Sequence, residues 1–412
     1  MKFFAASIFA SLVGLAFGRT GPLGPENYYT AAPGLQIGVA NLTVLCNVTA
    51  YGLIPINNIK VSALVQFTNA NYVGLGDVIQ IESGIGRVKL GSDLTGLLGL
   101  IGVDSITAKV SELGIVAGGT KEGVVDIAKI LDLTVPNTTL TPNQPLFLQL
   151  PSTGGFSVTA HSDGKSEIIT AAVGSVKLNA TAHSKLLGNI PAYVSCPALE
   201  RPVVIGFIRA EPGYVAKAVP KKVYPIVETP NGSLLGSAGI EFDCKTGSLG
   251  TFKLPTSVTG YIASLQVNAG EAFQFENGHA TVSLPQTIQK AIKSSFPTAD
   301  SFSIKLNSLR FSAEGASPEI NDIASTSSPI TTNTYKLTTT GSVKVDVPGQ
   351  NGQLPPVQFT ANADAAGDLA YTFLDSVSGS LIIKSGAKTV KSVAFNCPQP
   401  TPRLGLFSLN VY

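Results

Sequence analysis

Gly76-Asp77-Val78-Ile79-Gln80-Ile81-Glu82-Ser83-Gly84, running on to Val88 and Leu90, organises the chain, because it occurs twice. It lines up with Gly270-Glu271-Ala272-Phe273-Gln274-Phe275-Glu276-Asn277-Gly278, running on to Val282 and Leu284, with six of fifteen positions identical. After a two-residue slip, Asp104-Ser105-Ile106-Thr107-Ala108-Lys109-Val110 aligns with Asp300-Ser301-Phe302-Ser303-Ile304-Lys305-Leu306, and Leu113 with Leu309. Cysteines frame the copies. Cys46 opens the first and Cys196 closes it; Cys244 opens the second and Cys397 closes it, at separations of 150 and 153 residues. Units this long indicate one duplicated domain, since solenoid repeats are far shorter.

Within each copy, Ile79 and Ile81, or Phe273 and Phe275, alternate with their neighbours at the period of a half-buried strand. A helical stretch follows, carried by Leu94, Leu97, Leu98 and Ile101 after Ser92-Asp93, and by Ile288, Ala291 and Ile292 after Pro285. The next strand alternates Ile106, Ala108 and Val110, then changes phase to Leu113 and Ile115. Its counterpart does the same from Phe302, Ile304 and Leu306 to Leu309 and Phe311, which predicts a β-bulge at one place in both copies. Phe replaces Ile at four of these inward positions, as two separately packed cores would require. Further short strands are expected at Phe147–Leu150, Ile168–Val173, Ser175–Leu178, Ser342–Val347, Val357–Ala361, Tyr371–Leu374 and Ser380–Ile383. The fold class expected is mainly β, as two homologous β-sandwich domains, each with one short amphipathic helix. The corresponding divisions are a leader over 1–18, an N-terminal extension over 19–45, repeats over 46–196 and 244–397, and a C-terminal tail or strand over 398–412. Between the repeats, a stiff Pro-rich linker is expected over 197–243, with a strand at Val203–Phe207.

Lys2, the uncharged run from Phe3 to Phe17 and the small residues before Arg19 have the form of a secretory signal peptide cut after Gly18. No later apolar run is long enough to span a membrane, and a released chain without a lipid anchor is expected. An oxidising compartment makes disulfides plausible. The repeat favours Cys46 with Cys196 and Cys244 with Cys397; a bridge from Cys196 to Cys244 across the linker is the competing pairing. Five Asn-x-Ser/Thr sequons, at Asn41, Asn47, Asn137, Asn179 and Asn231, are candidate glycosylation sites. Ser325 to Thr340 reads as a solvated Ser/Thr-rich loop.

Charged residues make up only 13% of the chain and the formal net charge is +2, which argues against nucleic-acid binding. Three histidines, His161, His183 and His279, have no metal-ligand spacing, and no metal or cofactor is expected. His161-Ser162-Asp163 is the one local cluster of triad residue types, and Gly164 behind it makes a surface turn. Glu82 with Asp104 and Glu276 with Asp300, beside Lys109 and Lys305, are the candidate carboxylate pairs for glycoside chemistry; their structural reading is a turn and a strand start. Leu94, Leu97, Leu98 and Ile101 are candidates to line an apolar ligand cavity under the helix, against the alternative of an ordinary core.

The low-charge body with its leader and sequons looks like a secreted protein of a filamentous fungus. The unit itself, from a Cys-bearing strand through Gly-x-x-x-Gln-x, a short helix and an Asp-Ser strand to a closing Cys-Pro, resembles an uncharacterised secreted β-domain of tandem-repeat extracellular proteins in actinobacteria and fungi. That resemblance covers 46–196 and 244–397 and implies no catalytic residues. The expected function is that of a secreted, non-catalytic glycoprotein acting by protein, cell-wall or host contact, with an effector or elicitor role. The alternatives are an extracellular carrier of a lipid or sterol and a carbohydrate-active enzyme.

Overall fold

The computed structural model describes residues 29–349 and 352–412; the leader expected over 1–18 lies outside them. The chain is mainly β, and two α-helices are present among the described residues. The first half comprises β1 (Leu35–Ala50), β2 (Ile54–Ala70), β3 (Val78–Leu90), α1 (Ser92–Leu100), β4 (Val103–Gly118), β5 (Leu146–Leu150), β6 (Phe156–His161), β7 (Ile168–Ser184), β8 (Gly188–Cys196) and β9 (Val204–Glu211). The second comprises β10 (Ser233–Thr246), β11 (Gly250–Ile262), β12 (Ala272–Leu284), α2 (Gln286–Ser295), β13 (Ser301–Glu314), β14 (Val343–Val347), β15 (Val357–Ala361), β16 (Leu369–Ser385), β17 (Lys388–Cys397) and β18 (Gly405–Val411).

In the first half an open antiparallel sheet folds over on itself. One layer runs β1, β2, β3, with β3 continuing onto both β5 and β6. The other runs β8, β7, β4, and an apolar core of Ile79, Ile106, Val135, Phe156 and Ile208 lies between the layers. The second half repeats these pairings strand for strand, each element nine labels further on. A short parallel pairing recurs as well, Tyr72–Gly74 on β9 and Gln266–Val267 on β18. The expected bulge is present at the same place in both halves. Leu178 pairs with Val110 and Lys177 with Glu112, leaving Ser111 extra; Leu306 pairs with Gly379 and Ser308 with Ser378, leaving Asn307 extra.

Four expectations need correction. The boundaries drawn at Cys46 and Cys244 fall inside β1 and β10, because each of these strands begins about ten residues earlier, where it pairs with the other half. The breaks expected near Gly174 and between Leu374 and Ser380 are absent, since β7 and β16 run on and change partner midway, from β9 to β8 and from β18 to β17. At Gly379 β16 approaches β13 closely: an ideal Cβ there would lie 2.3 Å from the Lys305 carbonyl oxygen. The Glu-Ser/Asn-Gly turn is a bulge inside one strand, with Ser83 and Asn277 left-handed at φ 56° and 51°. Finally, the cores are not separate. Ala40, Leu42, Phe67, Val203 and Ile205 of the first half join the core of the second.

The expected linker is also built into the fold. Beyond β9, residues 212–232 cross the outer face of β1 and β2 as a strap, whose Tyr224 ring meets that of Tyr29 edge-on at 5.8 Å. Gln66 Nε2 donates to the Tyr224 carbonyl at 3.0 Å, Tyr29 Oη to Pro225 O at 2.7 Å, and Gly232 N–H to Asn41 O at 2.7 Å. The two halves then join directly, as β1 pairs antiparallel with β10 from Gln36↔Ala238 to Asn41↔Ser233. Beside this ladder, Arg209 and Arg403 both engage Glu314 and flank the Phe373 ring, at 5.8 and 4.2 Å from its centroid.

Burial pushes the Tyr29 phenol up to about 12, opposed by the hydrogen bond from the Val227 amide. Tyr371, on β16, is likewise pushed up to about 12 by burial and then by the nearby Asp368 and Glu314. An unfolded tyrosine ionises near 10, so between about 10 and 12 the unfolded chain has lost protons that the folded chain keeps. The stability from these two sites is fully present below about pH 10 and is lost as pH rises toward 12. Urea midpoints measured from pH 9 to 12 should fall across that window; a level profile contradicts the packing of these rings.

Candidate functional site

Each of the sequence candidates for catalysis is engaged in local structural contacts. Glu82 is buried on β3 and accepts the Ser157 hydroxyl, whereas Asp104, at the start of β4, takes Ser105 Oγ at 3.1 Å and Lys185 Nζ at 3.6 Å. Lys109 turns to Asp132 at 3.3 Å. In the second half Glu276 accepts from Gln274, while Asp300 accepts Ser301 Oγ at 2.6 Å and Gly386 N–H at 2.8 Å, contacts that hold its carboxyl below the usual range.

The expected surface turn begins only after Asp163: His161 ends β6, and Ser162 is buried and bridged to Thr120. His161 Nδ1 meets Glu122 Oε1 at 2.7 Å, Ser162 Oγ accepts from Gly164 N–H, and Asp163 accepts the Lys165 and Ser166 amides at 2.8 Å each. Those amides depress the Asp163 pKa. His183 contacts Asn189 and Thr107, and His279 lies 3.6 Å from Asp346. Among the described residues no group of three or more His, Cys, Asp or Glu side chains is placed to hold a metal ion.

Both disulfides join directly opposed residues, Cys46 with Cys196 and Cys244 with Cys397, each pair with Cα atoms 4.1 Å apart. Each sits at a fork. Below it, β1 pairs with β8 and β10 with β17; above it, β1 and β10 turn to each other. Two disulfides suit an oxidising, extracellular setting. Among the described residues no helix is long and apolar enough to cross a membrane.

Of the four residues proposed from the helix, Leu97 and Ile101 are exposed and Leu94 is half-buried. α1 docks through Thr95, Gly96 and Gly99: Thr95 Oγ1 donates to Gln144 O at 2.7 Å, and an ideal Cβ on Gly99 would lie 2.6 Å from the Pro142 ring. Leu97 and Leu100 therefore point into solvent, Leu100 with 78% of its surface exposed, and only Leu98 packs against the core. By contrast α2 buries Ile288 and Ile292. The cavity between the layers of the first half, about 60 Å³, is lined by Ile79, Ile81, Ile115, Phe156 and Ile169 and by none of the four residues proposed from the helix. Clefts that hold small molecules enclose roughly 300–1,000 Å³.

Two features escape sequence reasoning. The first is an apolar end on the first half. Tyr51 and Leu53 tip the β1–β2 turn, Leu186 and Leu187 tip the β7–β8 turn, and Leu97, Leu100 and Ile101 close α1. Leu53 is 84% and Leu186 73% exposed, and Ser184 Oγ ties the β7–β8 turn to the Ile101 carbonyl at 2.6 Å. The matching elements of the second half carry Lys245, Ser248, Lys290, Lys293 and Lys388. The Leu186-Leu187-Gly188 run at a hairpin turn was the available signal.

The second is a groove of about 560 Å³ between the strap and the outer face of β1–β2–β3, lined by Thr43, Lys60, Ser62, Lys89, Glu228 and Asn231. Lys89 reaches across it to Glu228 at 3.8 Å. Of the sequons, Asn47, Asn137, Asn179 and Asn231 are exposed. Asn41 is only 5% exposed, its amide donating to the Thr229 carbonyl and accepting Ser62 Oγ at 2.8 Å, so a sugar on Nδ2 has no room in the folded chain.

No protein-family model matches the chain, and a search of curated proteins finds no match.

Proposed function

We propose that this chain is an exported, non-catalytic glycoprotein built from two copies of one module, and that it works by binding another protein, of a wall or a host, through the apolar end of its first half. The observation that carries this reading is the gathering of Tyr51, Leu53, Leu97, Leu100, Ile101, Leu186 and Leu187 at one end, where the second half is polar. Exposed apolar clusters of this kind mark interaction surfaces, and leucine gains most from burial against another apolar protein surface. The local structural partners of Glu82, Asp104, His161 and Asp300 favour a binding role over a catalytic one.

The test compares immobilised wild type, the triple variant Leu53→Ser, Leu186→Ser, Leu187→Ser, and a control with Lys290→Ser and Lys388→Ser on the second half. Burial of one leucine contributes about 1.5–3 kcal/mol, so the triple change should weaken a specific partner at least about a hundredfold while the control does not. Equal retention by all three proteins contradicts the reading. Loss of binding to phospholipid vesicles alone replaces the protein partner with a membrane.

A further inference from the structure

We propose that Asn231 carries an N-linked glycan whose first sugars lie in the groove between the strap and the outer face of β1–β2–β3, fastening the strap to the first half. This inference rests on the exported-glycoprotein reading but not on the apolar end. Three observations lead to it. Asn231 is the exposed acceptor of an Asn-Gly-Ser sequon, and it is itself part of the groove's wall, at the point where the strap turns into β10. The groove's volume of about 560 Å³ falls within the range of clefts that hold small molecules, whereas the interior cavities of about 60 and 30 Å³ do not.

The lining also suits a sugar. N-acetylglucosamine presents an apolar ring face, hydroxyls and an acetamide. The groove offers the aliphatic stems of Lys60 and Lys89, the hydroxyls of Thr43 and Ser62, and the charged pair Lys89–Glu228. Asn41, the other sequon residue in the wall, is already spent on holding Thr229 and Ser62, which leaves Asn231 as the attachment point.

The experiment uses the full chain secreted from a eukaryotic host. Peptide mapping should find Asn231 occupied and Asn41 bare. Under native conditions a glycan amidase should release the Asn231 glycan about tenfold more slowly than those at Asn137 and Asn179, because release requires the strap to lift. In Asn231→Gln, an amine reagent should label Lys60 and Lys89 several-fold faster, while Lys290 is unchanged. Equal release rates, or labelling indifferent to Asn231→Gln, overturn the proposal and leave the exported-glycoprotein reading standing. Absence of sugar from Asn231 alone also overturns it. Absence of sugar from every sequon overturns both.

Discussion

Replacing Cys244 and Cys397 together with alanine should lower stability by roughly 2–5 kcal/mol, read as a shift of the urea midpoint at constant slope. The two residues are 153 apart, and closing so long a loop removes much of the unfolded chain's freedom. Local structure adds to the effect. On this side of the fork β10 meets β17 through only Lys245↔Asn396 and Thr246↔Phe395 before turning to β1. In the first half four pairs, Asn47↔Ser195 to Ala50↔Ala192, back the Cys46–Cys196 bridge. The double alanine variant at Cys46 and Cys196 should therefore be the milder of the two. A midpoint unmoved by loss of Cys244 and Cys397 would mean that the ladder alone holds β17.

Phe275→Ala should destabilise by about 3–5 kcal/mol, and Gly260→Ala should be nearly as harmful alone yet mild in the presence of Phe275→Ala. The Phe275 ring stacks on Phe407 at a centroid distance of 5.5 Å and 8° between planes, and it lies over Gly260, where an ideal Cβ would come within 1.8 Å of Cζ. A methyl at Gly260 must push the ring out of this stack; once the ring is gone, the same methyl fills part of the space left. A double-mutant cycle on thermal or urea unfolding reads the coupling, which should reach a few kcal/mol. Simple additivity would show that ring and glycine do not share the space described.

The same position explains how far the sequence could be read. Ile81 stands where Phe275 stands, and Ile79, Ile81 and Ile115 line the 60 Å³ cavity of the first half, whereas Phe311 lines a void of about 30 Å³ in the second. The exchange of Ile for Phe was visible in the aligned copies, and so were the bulges at Ser111 and Asn307 and the disulfide pairing, because each lies on a strand whose pattern recurs. What was not visible depends on contacts between remote or non-periodic residues. Tyr29 and Tyr224 fix the strap across an interval of 195 residues, with no period to announce them. Gly379 has the composition of a turn, and only the Lys305 carbonyl opposite it shows why glycine is needed inside a strand. α1 has the apolar content of a core helix, but the loop at Pro142–Gln144 takes its small residues and turns Leu97 and Leu100 outward. The candidate site followed the same division: the apolar end was latent in Leu186-Leu187, while the groove exists only because the strap folds back.

That strap and the β1–β10 ladder make one body of the two halves, and this is the claim on which the placing of the apolar end and the groove both depend. Hydrogen–deuterium exchange of peptides covering Gln36–Asn41 and Ser233–Ala238 probes this union of the halves. Amides within these six-residue segments that face the opposite strand should exchange as slowly as those in the middle of β2, since the ladder between halves lies inside a continuous sheet. Exchange as fast as that of an exposed edge strand would contradict it and leave two modules joined by a linker.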